Sequence, residues 1–426
     1  MKLEVGYIRI RDIQLTDASG IRDGVLYVNA GELETLVLED ERLATVSFEI
    51  ARPGESVRIT PVKDVIEPRA KVEGPGDMFP GVITKVKTVG SGKTHVLRGA
   101  AVVTVGRIVG FQEGIIDMTG PGADYTPFSA TNNLVADFTP RDYLSAHEYE
   151  AAIRIAGLKI AYALGKLGAT ITPDECRTYE FSSLMEGASK YPGLPRVGYV
   201  QMLQSQGLLH DTYVYGVDMK QSITTILSPT ETMDGAILSG NCVSACDKNT
   251  TYHHQNNPVI EDLFDEHGKT LNFAAMIITN ENVYLADKER SSDWTAKLVE
   301  YLDLDGVIIS QEGFGNPDTD LIMNCKKIEQ TGAHTVLITD EYAGRDGASQ
   351  ALADADPSAD AVVTGGNANQ LVTLPKLDRV IGTLDYTEKI AGGFAGGVHD
   401  DGSITVELQA ITGSTNELGY NLLSAR

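Results

Sequence analysis

The sequence predicts an α/β protein: an N-terminal mostly-β domain followed by a doubly wound, mainly parallel α/β sheet domain. Three observations carry this. Short runs rich in Val, Ile and Thr, punctuated by Gly and Pro, fill the first 118 residues. A Ser145-x-x-Glu148 capping-box pattern then opens a long amphipathic stretch. From about Arg196 onward, apolar strand-like runs alternate with helix-like ones, as in a parallel sheet covered on both faces.

Taken in order, "MKLEVGYIRIRDIQ" alternates apolar and charged residues, which is a strand pattern and not a signal peptide. "GVLYVNA", "ATVSFEIA", "SVRITPV", "KVKTV", "THVL", "AAVVTVGRIVGF" and "GIIDM" read as further strands of a domain over 1–118. A Gly/Pro/Asn-rich connector, "TGPGADYTPFSATNN", leads through 119–144 into an α/β domain over 145–426. Its first helix runs to about Leu167, with Ile153, Ala156, Ile160, Ala163 and Leu167 on one face. The strands "VGYVQML", "GAILSG", "AAMIIT", "DGVIIS", "HTVLIT" and "DAVVTG" follow. Among them lie the helices "NPVIEDLFDEHG", "DWTAKLVEYLDL" and "DTDLIMNCKKIEQTG". Ligands of such sheets bind beyond the carboxyl ends of the strands. That rule gathers Gln204, Gln206, Asn241, Cys242, Asn280, Glu281, Glu312, Asp340, Glu341, Gly365, Gly366 and Asn367 into one candidate region.

Composition sets the frame. With 426 residues, 42% hydrophobic and 22% charged, the chain has the balance of a globular protein of two or three domains. It has no apolar run of the roughly 18 residues that a membrane span needs. A net charge of −24 repels nucleic acid and anionic membrane surfaces. Four cysteines in so long a chain argue against a disulfide framework, and the expected compartment is the cytoplasm.

Short motifs discriminate poorly. "GSGKT" at Gly90–Thr94 has Lys87 where a phosphate loop needs Gly, and it lies between strands. "GGFAGG" at Gly392–Gly397 is not the dinucleotide pattern and reads as a turn. Cys242, Cys246, His253 and His254 invite zinc, but adjacent histidines do not have the usual finger spacing. Cys-x3-Cys is not the thioredoxin-like pair either. His210, beside Asp211, is either an oriented general base or a surface histidine. Cys176 and Cys325 read as structural thiols.

The Asn241-Cys242 dipeptide has chemistry of its own. A Cys thiol can attack the preceding carbonyl and convert the amide to a thioester. β-Elimination then cuts the chain and leaves dehydroalanine, which hydrolyses to an N-terminal pyruvoyl group. That ketone is an electrophile no standard side chain provides. Gly240, just before the junction, permits the distorted backbone such an attack needs.

Longer strings are more specific. They include "ARPGESVRITPVKDVIEPRAKVEGPG", "VGFQEGIIDMTGPGADYTPFS", "QGLLHDTYVYGVDM", "MDGAILSGNCVSACDKN", "IITNENVYLADKER", "QEGFGNPDTDLIMNCKKIE", "ITDEYAGRDGASQALADADP" and "VVTGGNAN". Together they resemble the proprotein of component B of the glycine/sarcosine/betaine reductases, over nearly the whole chain. The resemblance implies cleavage at Asn241-Cys242 into an α subunit, 1–241, and a β subunit, 242–426, with Cys242 as the pyruvoyl precursor. It assigns no role to Cys246. It also implies reductive deamination of glycine or an N-methylated relative. The ketone would form a Schiff base with glycine or an iminium with sarcosine; betaine, without an N–H, cannot form such an adduct. The two-carbon acid unit would pass to a selenocysteine as a carboxymethyl selenoether and leave as acetyl phosphate.

This chain has no selenocysteine. The implied partners are therefore the selenocysteine-containing subunit of component B, selenoprotein A, component C and thioredoxin as electron source. Candidate substrate-contacting residues, by loop position, are His210, Glu281, Glu312, Asp340, Glu341 and Arg345. The acids would hold a substrate cation or move protons; Arg345, or Arg290, would take a carboxylate. Two other readings compete: an uncleaved α/β amine-binding module of the same complex, and an intein-like cyclisation of Asn241, which usually needs His where Gly240 stands.

Overall fold

A computed structural model describes residues 1–110, 113–207, 209–240 and 249–415, together with the backbone of 424–425. The N-terminal part holds two larger sheets and a small one, Asp12–Leu15, Val25–Val28, Gly20–Arg22. A four-stranded one runs Glu175–Glu180, Lys2–Arg9, Gly92–Arg98, Arg69–Glu73. A six-stranded one runs Gly114–Asp117, Val57–Ile66, Ala100–Val105, Asn132–Pro140, Leu43–Ala51, and Arg379–Gly382 adds in parallel to Val57–Ile66.

The helix Ala146–Leu167 packs against these sheets. Its capping box forms as expected: Glu148 N donates to Ser145 Oγ and Ser145 N donates to Glu148 Oε2. Ile153, Ala156 and Ile160 are buried, while Ala163 and Leu167 are only partly so. The approach is close. A Cβ on Gly165 would stand 2.1 Å from the Arg69 carbonyl oxygen, so only glycine lets the helix lie there.

The second part is a seven-stranded sheet. Its order is Thr225–Ile226, Asn272–Glu281, Arg196–Gln204, Gly306–Ser310, His334–Glu341, Val362–Asn367, Ser424–Ala425. The five central strands are parallel and the two edge strands antiparallel. Side chains alternate between faces, as strand geometry requires. Val200 and Met202 join the helices Leu285–Tyr301 and Asn316–Glu329 through Val299, Leu321 and Cys325. Tyr199 and Leu203 join the helix Pro258–Glu266, and also Leu3, Val5 and Val96 of the first sheet. The mixed α/β fold is the one expected, and both faces of the parallel sheet are covered.

Three local differences have physical reasons. "KVKTV" is not a strand; it lies in a loop bounded by Gly81 and Gly90, both at positive φ. The strand Glu175–Glu180 carried no apolar alternation, because this edge strand buries only Tyr179. "GAILSG" gives only the two-residue strand Ile237–Leu238, paired with Tyr213–Val214 outside the large sheet.

The strand Arg196–Gln204 lies between two strands that follow it in the chain, Asn272–Glu281 and Gly306–Ser310. The chain therefore leaves this strand first to one side and later to the other. That is a topological switch point, and the crevice at its carboxyl end is where a ligand is expected.

Candidate functional site

Gln204 and Glu281 end two of these strands in register, and Glu312 follows the third. Glu312 is the hub. Its Oε2 accepts from Gln204 N at 2.8 Å and from Thr212 Oγ1 at 2.6 Å. Its Oε1 lies 2.9 Å from His254 Nε2. Its backbone N–H donates to Glu281 Oε1 at 2.6 Å. Both carboxyl groups are buried, Glu281 completely. Burial first, and the neighbouring Glu312 charge second, push the Glu281 carboxyl well above the usual carboxylate range.

The imidazole has a defined tautomer. Gln201 Nε2, which can only donate, lies 3.3 Å from His254 Nδ1. Nδ1 therefore accepts, and the ring proton sits on Nε2, facing Glu312. The centre thus combines an acid that accepts from Gln204 N and Thr212 Oγ1, a histidine in contact with it, and a second acid whose pKa burial raises. Such a set can hold and move a proton in a water-poor crevice.

The segment that enters the Asn241-Cys242 junction is tied to this centre by two routes. Ser239 N donates to Thr251 Oγ1 at 3.1 Å, and Thr251 Oγ1 donates to Asp64 Oδ2 at 2.7 Å. Asp64 also accepts from Thr251 N and Val65 N, both at 2.8 Å. Thr251 and His254 are three residues apart in the helix Thr251–Gln255 and so share a face. In the second route, a Cβ on Gly240 would stand 2.0 Å from the Asp211 carbonyl oxygen. The next residue, Thr212, is the one that donates to Glu312. Asn241, Cys242 and Cys246 themselves lie outside the described residues.

The other expected residues are placed as follows. Asp340 accepts from Thr415 Oγ1 at 3.0 Å, and Glu341 from Thr364 Oγ1 at 2.8 Å; both are buried at the end of the next strand. His210 lies away from Asp211's side chain. Its Nδ1 is 2.9 Å from Tyr213 Oη and its Nε2 is 3.3 Å from Glu150 Oε2. Asp211 instead pairs with Lys220 at 2.8 Å. The expected His210–Asp211 partnership is not formed, because the two side chains leave the loop in different directions. Arg345 pairs with Glu407 at 2.8 Å and lies over the Phe394 ring, on an exposed surface. Arg290 pairs with Asp287.

His254 was weighed in the sequence only as a zinc ligand. Asp64, Gln201, Thr212 and Thr251 were not singled out. One signal was available for Asp64, an acid beside Lys63 within the Val- and Ile-rich strand "VRITPVKDVI". His253 caps its own helix through Thr250. Among the described residues, no group of three or more His, Cys, Asp or Glu is arranged to hold a metal ion. Nor is any described helix long and apolar enough to cross a membrane.

The fold and site define an α/β protein with a buried Glu–His–Glu centre at a switch point, tied to the backbone of Ser239 and Gly240. Over residues 1–426 the sequence matches the family of glycine/sarcosine/betaine reductase component B subunits, and the chain belongs to that family. It is 65% identical over 428 residues to the glycine reductase complex component B subunits alpha and beta of Acetoanaerobium sticklandii, covering 100% of each chain. To the sarcosine reductase complex component B subunit alpha of Peptoclostridium acidaminophilum it is 60% identical over 426 residues, again 100% of each. Identity falls to 38% over 436 residues for that organism's betaine reductase complex component B subunit alpha, covering 99% of this chain and 98% of the relative. No solved structure matches the chain.

Proposed function

We propose that this chain is the self-processing, substrate-activating subunit of a glycine-type amino-acid reductase. It is cut between Asn241 and Cys242, and Cys242 becomes an N-terminal pyruvoyl group on the 242–426 piece. The observation that carries this is a relative, alike over its full length, in which one continuous sequence is named for two subunits, alpha and beta. When formed, the pyruvoyl ketone supplies an electrophile that amines attack.

The surrounding residues suit that role. Thr251 and Asp64 hold the Ser239 backbone just upstream of the junction. Gly240 lies against the Asp211 carbonyl, where a larger residue would clash. Glu281, Glu312 and His254 form an acid–base set one helical turn from that anchor. Asp340 and Glu341 extend the acidic lining, and His210 and Arg345 stand further out as candidates for substrate entry or carboxylate contact. Cutting would not separate the pieces. The strand Arg196–Gln204 of the first piece lies between two strands of the second, and buried Arg69 donates to Asn256 across the cut at 2.7 Å.

In the complex, the activated two-carbon acid unit passes to the selenocysteine-containing subunit of component B, with release of the amine. Selenoprotein A, component C and thioredoxin then lead to acetyl phosphate, in the cytoplasm. Denaturing mass spectrometry tests the first step. The expected result is two fragments meeting at Asn241/Cys242, the second lacking an amine and a sulfur. Borohydride with candidate amines should then trap the substrate on that fragment. A single uncut chain, even with the partner subunit co-expressed, would overturn the proposal and leave an uncleaved amine-binding module.

A further inference from the structure

We propose, resting on the reading above, that the switch-point crevice holds its substrate through N–H donation to Glu281 and Gln204, beside Gly313. It therefore takes primary and secondary ammonium groups, as in glycine and sarcosine, and rejects quaternary ones such as betaine.

The first observation is a set of oxygens with nothing to bond. Glu281 Oε2, Gln204 Oε1 and Gln201 Oε1 are buried and, within the described structure, have no hydrogen-bond donor. Their residues are 0%, 1% and 1% exposed. Buried polar atoms are nearly always paired, so several unpaired acceptors together point to a missing donor. Gln204 and Glu281 are register partners on adjacent strands, so their side chains leave the sheet side by side.

The second observation is the gap they border. A Cβ on Gly313 would stand 3.5 Å from Pro317 Cγ, 3.6 Å from Gln204 Nε2 and 3.7 Å from Glu281 Oε2. Gly313 is not among the positive-φ glycines, so its backbone does not require glycine. What the missing side chain leaves is room for one methyl-sized group in ordinary contact with an amide and a carboxyl group.

The chemistry follows from the donor set required. Burial and the Glu312 charge push the Glu281 carboxyl well above the usual carboxylate range, and its Oε1 accepts from Glu312 N while Oε2 has no donor. A cation at Oε2 reverses that preference and makes a charge-assisted hydrogen bond. A primary ammonium has N–H donors for Glu281 and for a glutamine oxygen. A secondary ammonium retains two. A quaternary ammonium has none and leaves every acceptor unpaired, the type of mismatch that polar sites reject most strongly.

The test is calorimetric titration of the full chain, wild type and Cys242→Ala, with glycine, sarcosine and betaine as probes. Glycine and sarcosine should bind both proteins, and betaine neither at concentrations about a hundredfold higher. Gly313→Ala, whose methyl fits at ordinary contact distance, and Glu281→Gln should each weaken glycine binding about tenfold or more. Gly313→Ala should leave the thermal midpoint unchanged. The inference is overturned if betaine binds as well as glycine, if neither substitution weakens glycine, or if Cys242→Ala or the wild type binds no glycine. An uncut wild-type chain that still shows the expected selectivity would defeat the pyruvoyl reading alone.

Discussion

His254 Nε2 lies 2.9 Å from Glu312 Oε1, with both side chains buried. The ring's other nitrogen accepts from Gln201, so this contact is a donated hydrogen bond to a carboxyl group that also accepts from Gln204 and Thr212. Removing the ring should matter twice. His254→Ala takes one donor from a buried acid and opens a cavity, at a cost of about 2–4 kcal/mol in stability. It should also lower amine-dependent turnover of the assembled complex far more than it lowers thermal stability. Denaturant unfolding and a reductase assay on the same preparation check both parts.

Thr251 bridges the Ser239 backbone to Asp64, and its hydroxyl both donates and accepts. Thr251→Val keeps the shape and removes both bonds. We expect cleavage of freshly made chain to slow about a hundredfold, the scale on which misplacing reacting atoms acts. Thr251→Ser should keep near-normal processing. A denaturing gel time course reads the ratio of whole chain to fragments, and equal rates for Val and wild type would remove Thr251 from this role.

Asp211 gives a pH prediction. Burial raises its pKa to about 7, against the opposing hydrogen bond from Lys220. In the unfolded chain it titrates near its ordinary value of 3.8. The fold thus keeps a proton that the unfolded chain releases, and this contribution to stability is present below about pH 4 and is lost as pH rises through about 7. Asp211→Asn cannot titrate. Relative to wild type, it should gain stability as pH rises from about 4 to about 7, and thermal midpoints across that range measure the trend.

Arg58 and Asp117 form a two-bond pair at 2.7 and 2.8 Å, each 1% exposed, between the strands Val57–Ile66 and Gly114–Asp117. Asp117→Ala leaves a buried guanidinium without its partner, which should cost about 3–5 kcal/mol. Replacing both, as Arg58→Met with Asp117→Ala, should recover part of that loss. Chemical denaturation of the single and double variants compares them.

Much of the fold was legible because its determinants are local. The helix Ala146–Leu167 announced itself by a cap and a 3.6-residue stripe, which are contacts within one or two turns. The five central strands of the large sheet read as apolar runs because both of their faces are covered. The edge strand Glu175–Glu180 and the short strand Arg379–Gly382 were not read, since few of their side chains are buried. The strand-end rule gathers Glu281 and Glu312 into one region, as the fold does. It could not separate them from Arg345, whose loop turns toward Glu407 instead.

The sequence by itself determined the α/β class, the positions of the strand ends and the Ser239-Gly240-Asn241-Cys242 string by which the family is recognised. Those features are written in periodicity, capping and residue identity, which act over a few neighbouring residues. Only the tertiary structure decided that Glu312 meets Glu281 and His254, that Thr251 reaches Asp64 from 187 residues away, and that Gly313 leaves space beside Gln204. Each of these depends on strand order and on which buried polar groups find partners once the sheets close. That is a condition of the whole packed chain, and no short window of it carries the information.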